Sequence, residues 1–245
     1  MRVYFTGDRH GDFGDMKKFC EEHQTTKEDL VVIMGDAGIN YDGWTLDYCK
    51  KEYLESLPVR FLCVHGNHEI RPQTLLYYKL MDWCGGKVWQ EEEFPSILFA
   101  KDGEIYNLLG NQVLAIGGAY SVDKYARIRN IRSIRWWDDE QPSDEIKRFV
   151  EKQLEKNKWS VDVVLTHTCP LKYEPREAFL VGINQKLVDK TTESWLDSIE
   201  DRLFYSDWYC GHFHIEKDVD HMHFLYKHFV GLPNKKTLLE GELDD

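Results

Sequence analysis

Five short apolar runs in this chain each stop abruptly at a turn built from glycine, aspartate, asparagine or histidine, and this recurrence restricts the fold more than any other feature. RVYF (residues 2–5) leads into TGDRHGD, LVVIM (30–34) into GDAG, and VRFLCV (59–64) into HGNHE. VDVVL (161–165) leads into THTCP, and DWYC (207–210) into GHFH. Runs of this length, rich in β-branched residues and bounded by turn formers, read as strands buried on both faces. In an open α/β sheet the loops at the carboxyl ends of the strands lie on one rim, and ligands bind there. Five such ends deliver Asp8, His10, Asp36, Asn67, His68, His167, His212 and His214 to one place.

The rest of the chain supplies a frame for that rim. Strands are expected at 2–6, 30–34, 60–64, 112–116, 161–166 and 207–210, and helices at 13–23, 45–57, 72–82, 143–157 and 192–203. Ser143 is the expected N-cap of the fourth helix, with Pro142 before it and Ile146, Phe149, Val150 and Leu154 at helical spacing behind it. The alternation predicts an α/β fold. Residues 88–116 read as shorter strands joined by Asp102-Gly103 and Gly110-Asn111 turns, which predicts a second, more antiparallel sheet. Nothing marks a domain boundary, so residues 1–245 are expected to form a single domain. Residues 117–142, GGAYSVDKYARIRNIRSIRWWDDEQP, are too polar for core and too long for a plain connection, and are expected to be an Arg/Trp-rich insertion with a functional role.

The residue types at the five turns form a coherent chemistry. Asp8 and His10 are two apart, as are His212 and His214, and in extended backbone that spacing points both side chains to one side. Imidazole and carboxylate together suit manganese, iron, zinc and nickel, and are too nitrogen-rich for calcium. A lone histidine after a strand is ordinarily a cap or a surface residue, and GD or D-x-H alone is a common turn. Five such turns in order, each after an apolar run, are what single out a metal site. His221-Met222-His223 is also an H-x-H pair, but it begins an apolar run and no glycine precedes it, so it is set aside with His23, His65 and His228. Six cysteines occur without a C-x-x-C pair, which predicts reduced thiols. Cys169 and Cys210 adjoin the candidate ligands and are expected to fill gaps behind the site, with ligation as the alternative.

Charge narrows the partners. The net charge of −12 gives no general attraction for nucleic acid, although a local basic patch would still offer one. The amino terminus enters an apolar strand at once, leaving no room for a signal peptide, and no apolar run approaches membrane-spanning length. A cytoplasmic protein without a membrane partner is expected; the sequence is silent on oligomeric state.

The ordered set D-x-H, GD, GNH[DE], H, GH-x-H resembles the calcineurin-like metallophosphoesterases, over residues 7 to 214. The resemblance implies a four-layer α/β/β/α sandwich with two mixed β-sheets and a dinuclear metal centre, with manganese the favoured ion. Asp8, His10, Asp36 and His214 would hold one ion. Asp36, Asn67, His167 and His212 would hold the other, Asp36 bridging the two, and His68 would stand by the leaving group. The implied reaction is hydrolysis of a phosphomonoester or phosphodiester by in-line attack of a metal-bridging hydroxide, with His68 as general acid. A phosphorylated small molecule or a nucleotide is the expected substrate. A looser resemblance, through GGAYSVD and the Arg and Trp residues after it, is to uncharacterised prokaryotic and phage members of the family.

One departure from the family pattern matters. Several members, notably protein phosphatases, extend the second motif to GDxxD followed by Arg, whereas here Ile39 and Asn40 occupy those two positions. Orientation of His68 and clamping of phosphate must therefore come from elsewhere in the chain, or be weaker. The 117–142 segment offers Lys124, Arg127, Arg129, Arg132 and Arg135, of which Arg127 is the single choice, and Trp136 and Trp137 would either stack on substrate or pack on the body. Two rival readings are a nuclease acting on single strands, using that segment, and a non-catalytic scaffold. The scaffold would have lost ligand residues, and none is lost here.

Overall fold

The computed structural model describes residues 1–41, 44–129 and 135–234. Along the chain lie β1 (Val3–Thr6), α1 (Met16–His23), β2 (Leu30–Ile33), α2 (Trp44–Ser56) and β3 (Arg60–Cys63). Then come β4 (Tyr78–Trp83), β5 (Gly86–Glu91), β6 (Ile97–Ala100), β7 (Ile105–Leu108) and β8 (Asn111–Ile116). The remainder holds α3 (Lys124–Arg129), α4 (Asp144–Lys156), β9 (Val163–Thr166), α5 (Thr191–Glu200), β10 (Asp207–Cys210), β11 (Lys217–Val219), β12 (Met222–Phe224) and β13 (Val230–Gly231). Seven strands form one mixed sheet in the order β13-β1-β2-β3-β6-β5-β4, and six form another in the order β11-β12-β10-β9-β8-β7.

Alternation along the strands builds the layers. Val3, Phe5, Leu30, Val32 and Leu62 face Val113, Ala115, Val163, Leu165 and Tyr209 in a core between the sheets. Their neighbours Val31, Ile33, Phe61 and Cys63 point the other way, against Met16, Phe19 and Cys20 of α1 and Leu54 of α2. On the far side, Leu114, Ile116, Val164 and Trp208 pack against Val150 and Leu154 of α4 and Leu196 and Ile199 of α5. The result is the expected α/β/β/α sandwich. Each central strand is apolar on both faces because each sheet is covered on both. Ser143 caps α4, accepting the Ile146 N–H at 3.3 Å.

Parallel pairing sets where the site falls. β1, β2 and β3 run parallel, as do β8, β9 and β10. Their carboxyl ends meet at one edge of the sandwich, three from each sheet.

Two expectations fail. Residues 72–82 are not helical: Pro72–Thr74 form a single 3₁₀ turn, and Tyr78–Trp83 pair antiparallel with Gly86–Glu91. Cys84 and Gly85 both have positive φ, 46° and 87°, the two-residue turn whose twist matches a hairpin. Their pairing overrides the local pattern. Residues 88–116 also do not form a separate sheet: β5 and β6 extend the first sheet, and β7 and β8 belong to the second.

Candidate metal centre and active site

The strand ends bring all eight side chains of the predicted rim together. His214 Nε2 lies 3.2 Å from Asp8 Oδ2 and 3.0 Å from His10 Nε2, which is itself 3.7 Å from Asp8 Oδ2 and 3.8 Å from Asp36 Oδ2. On the other side of Asp36, His167 Nε2 is 3.6 Å from its Oδ2 and 2.7 Å from Asn67 Oδ1, and His212 Nδ1 is 3.1 Å from that same amide oxygen. Asp36 stands between the two groups, next to a histidine of each.

The donor set fits divalent cations, and the hydrogen bonds around it say why. Asn67 Nδ2 donates to Ser121 Oγ at 2.7 Å, which turns Oδ1 toward the imidazoles. His167 Nδ1 donates to the Met34 carbonyl at 2.8 Å, which leaves a lone pair on Nε2. Asn67 Oδ1 and His167 Nε2 thus face each other across 2.7 Å, a gap that either a second imidazole proton or a bound cation bridges. Asp8 and Asp36, both buried, point at the same space.

Electrostatics agrees. Burial opposes ionisation of both carboxylates, but His167, with His214 beside Asp8 and with His68 and His10 beside Asp36, outweighs it and holds both below the usual range. Burial, then His167, depresses His212 to about 3, so its ring stays neutral and able to ligate. The hydrogen bond that His214 donates to Asp8 raises His214.

Backbone geometry at the rim is unusual. His10, Asp36, His212 and His214 all have positive φ, between 47° and 65°. Four non-glycine residues in the left-handed region within one site mark stored strain that the surrounding packing must hold. The motif glycines allow close approach: a Cβ on Gly66 would lie 2.0 Å from Asp36 Oδ1, and one on Gly211 would lie 2.2 Å from Asp8 Oδ1.

His68 is held from an unexpected quarter. Ile39 is buried in the α1–α2 core and Asn40 accepts a hydrogen bond from Tyr78 Oη at 3.2 Å, so neither reaches the imidazole. Arg127 does: its Nη2 lies 2.7 and 3.0 Å from the two ring nitrogens of His68. Asp123 pairs with Arg127 Nε at 2.7 Å and lies 3.9 Å from His68 Nε2. Burial, with the Arg127 cation alongside, keeps His68 below its ordinary range against the pull of Asp36.

The 117–142 segment is less of a solvated loop than its composition suggests. Arg127, on α3, is 7 % exposed. Gly118 N–H donates to the His65 carbonyl at 2.8 Å, and Arg71 Nε to the Asp139 carbonyl at 2.6 Å, tying both ends of the segment down beside the GNHE loop. Trp136 donates to Glu140 at 2.7 Å and lies under the Lys124 ammonium, while Trp137 meets the edge of Tyr41. Both tryptophans are thus engaged with the chain itself. Arg132 lies outside the described residues.

Sequence reasoning missed Lys50, which has no signal beyond being a lysine in a helix. It donates to the Gly38 carbonyl at 2.9 Å and, with Arg127, His10 and His68, lines a cavity of ≈ 300 Å³ beside the metal rim. Asp123 and Ser121 were equally illegible as partners of His68 and Asn67. The residues set aside stay outside the rim: His223 pairs with Asp218 and Asp207, and Cys169 and Cys210 are buried in the α4–α5 core.

Two stacked mixed sheets in a four-layer sandwich carry a carboxylate–imidazole cluster at their shared edge. The family model for calcineurin-like phosphoesterases matches residues 1–216, and the chain belongs to that family. No curated protein matches the sequence. Among solved structures, a phosphopantetheinyl hydrolase from Mycobacterium tuberculosis is 14% identical with a TM-score of 0.45, covering 92% of this chain and 88% of its own. A protein of unknown function from Aquifex aeolicus is 14% identical with a TM-score of 0.34, covering 71% and 81%. Likenesses this distant say nothing of substrate. Among the described residues no helix is long and apolar enough to cross a membrane.

Proposed function

We propose that this protein hydrolyses a phosphoester using two divalent metal ions, with manganese the favoured pair. Asp8, His10 and His214 would hold one ion, Asn67, His167 and His212 the other, and Asp36 both. The observation that carries the reading is the convergence of two buried carboxylates, Asp8 and Asp36, with His10, His167 and His214 on one small space, the Asn67 amide oxygen and His212 beside them. Bound ions would polarise the phosphoryl oxygens and make a water acidic enough to serve as nucleophile near neutral pH.

The chain's own groups have separate tasks. His68, not needed as a ligand in this assignment, protonates the departing oxygen, a role typically worth ~100- to 10,000-fold in rate. It is neutral in the resting site, and the anionic substrate favours its protonation. Arg127 positions His68 and, with Lys50, presents positive charge to the non-bridging oxygens. Asp123 holds Arg127 in place.

The test uses protein stripped with chelator and dialysed. It should fail to hydrolyse an activated aryl phosphate ester, regain turnover with added Mn²⁺, and bind two ions per chain by elemental analysis. Hydrolysis undiminished after thorough metal removal overturns the reading, as does no turnover with any divalent ion.

A further inference from the structure

The space beside the metal rim continues into a second cavity. It has a volume of ≈ 200 Å³ and runs from Asp36, Asn67 and His212 outward beneath residues 178–190. Its walls are mostly apolar, with three aromatic rings, Phe179, Phe213 and Tyr120, beside Ile183, Val188 and Val122. The covering segment contains only short 3₁₀ turns, Arg176–Ala178 and Gln185–Leu187. Lys190 ties it down, pairing with Glu174 at 2.5 Å and lying 4.9 Å from the Phe179 ring centre.

Two oxygens in this apolar surround lack partners. Glu193, in the first turn of α5, is 3 % exposed. Its Oε1 accepts from Thr168 Oγ at 2.9 Å, but its Oε2 has no protein donor. Gln185 Oε1 is buried on the cavity lining and is likewise without one. Burial pushes the Glu193 carboxyl up to about 7, against the pull of the Thr168 hydrogen bond and of Lys190, which itself pairs with Glu174. Buried polar oxygens without partners are rare in native proteins and call for a reason.

The position of the cavity supplies that reason. A phosphoryl group at the metal rim directs the remainder of its ester into this space. Aromatic walls suit a flat ring, and two acceptors require hydrogen-bond donors on it. An alkyl chain would leave both oxygens unpaired. A bare polyol would leave the aromatic walls unfilled.

We propose that this cavity is the subsite for the organic part of the substrate, and that it selects a heteroaromatic ring carrying N–H donors, as on a nucleobase, which bond Glu193 Oε2 and Gln185 Oε1. The assignment rests on the phosphoesterase reading above, and it makes Glu193 and Gln185 specificity residues.

The test compares adenosine 5′-monophosphate with ribose 5-phosphate, which lacks only the base, and with phenyl phosphate, whose ring lacks N–H. On Mn²⁺-loaded protein, kcat/KM should be at least ~10-fold higher for the nucleotide than for either other ester. Glu193→Gln keeps the shape but lets an amide N–H face the cavity, so the nucleotide-to-phenyl ratio should fall about tenfold, mainly through KM. Gln185→Leu should lower the same ratio. Melting temperature and metal content, measured on both variants, distinguish this from a structural lesion, which would lower all three substrates together. A ratio unaltered in both variants overturns the proposal, as does equal wild-type activity on all three esters. If no ester is hydrolysed, the phosphoesterase reading fails by itself. The cavity is then judged by calorimetry with adenosine: binding weakened by Glu193→Gln upholds it, and no binding overturns it.

Discussion

His68 and Asp36 stand next to each other yet should fail in different ways. The Asp36 carboxylate stands between both ligand groups, and its Oδ1 also accepts the His68 backbone N–H at 2.7 Å. Asp36→Asn removes the shared charge and should abolish turnover and lower bound metal from two ions toward one or none, as elemental analysis would read. His68→Ala should leave metal content near two per chain and reduce kcat. The reduction should be greatest for alkyl esters, whose leaving oxygen most needs a proton, and least for nitrophenyl esters. Equal losses on both would remove His68 from the general-acid role. The glycines at the rim belong to this scale too. Gly66 and Gly211 are legible in the sequence as turn formers, but the carboxylates they pack against come from elsewhere in the chain.

Among the elements, the 117–142 segment changed most between sequence and structure. Its sequence is a run of cations, and within it the short helix α3 turns one of them inward. Arg127 is anchored three ways, to Asp123, to His68 and to the Arg135 carbonyl at 3.2 Å. Arg127→Ala should therefore lower kcat/KM by ~1.5–3 kcal/mol, the cost of a lost charged hydrogen bond. It should also reduce melting temperature modestly, since the ion pair of the buried Arg127 with the half-exposed Asp123 is broken. Arg127→Lys should recover only part of the rate, because an ammonium cannot make the same set of contacts. Full activity of the alanine variant on every ester would show that the metals alone hold the anion. The β4–β5 hairpin teaches the same lesson about elements: Leu76, Leu80 and Trp83 are spaced as on a helix face, and the Cys84-Gly85 turn decides otherwise.

For the whole molecule, one ion pair ties the first strand to the edge of the second. Arg2 donates to Asp29 through its backbone N–H and its Nη2, both at 2.7 Å, and Thr26 N–H adds a third bond at 3.0 Å. The Arg2 hydrogen bond, against a smaller cost of burial, holds Asp29 at about 2, below its ordinary 3.8. Because the folded value is the lower one, this stability is complete above about pH 4–5 and is lost as pH falls toward 2. Arg2 is half-exposed, so solvent screening limits the contribution to about 1–2 kcal/mol. Denaturant titrations of metal-free wild type and Asp29→Asn should differ by that amount at pH 6 and converge near pH 2. A difference that stays constant across the range would assign the effect to packing.

Local chemistry made much of this protein readable in one dimension. A strand end and a turn glycine are specified within about seven residues, so the α/β class, the parallel strand ends and the eight rim side chains could be read directly, although His10, His212 and His214 adopt left-handed and not the extended backbone expected of the i, i+2 pairs. Contacts between distant segments could not be read that way. The side-chain direction of Arg127 depends on how α3 docks beside the GNHE loop, 59 positions away from His68. The environment of Glu193 depends on a covering segment whose turns have no hydrophobic period, and the presence of Lys50 at the cavity depends on where α2 lies against the first sheet. Spacing in sequence specifies which groups a turn can offer, while only the packing of sheets and connections determines which charges face them.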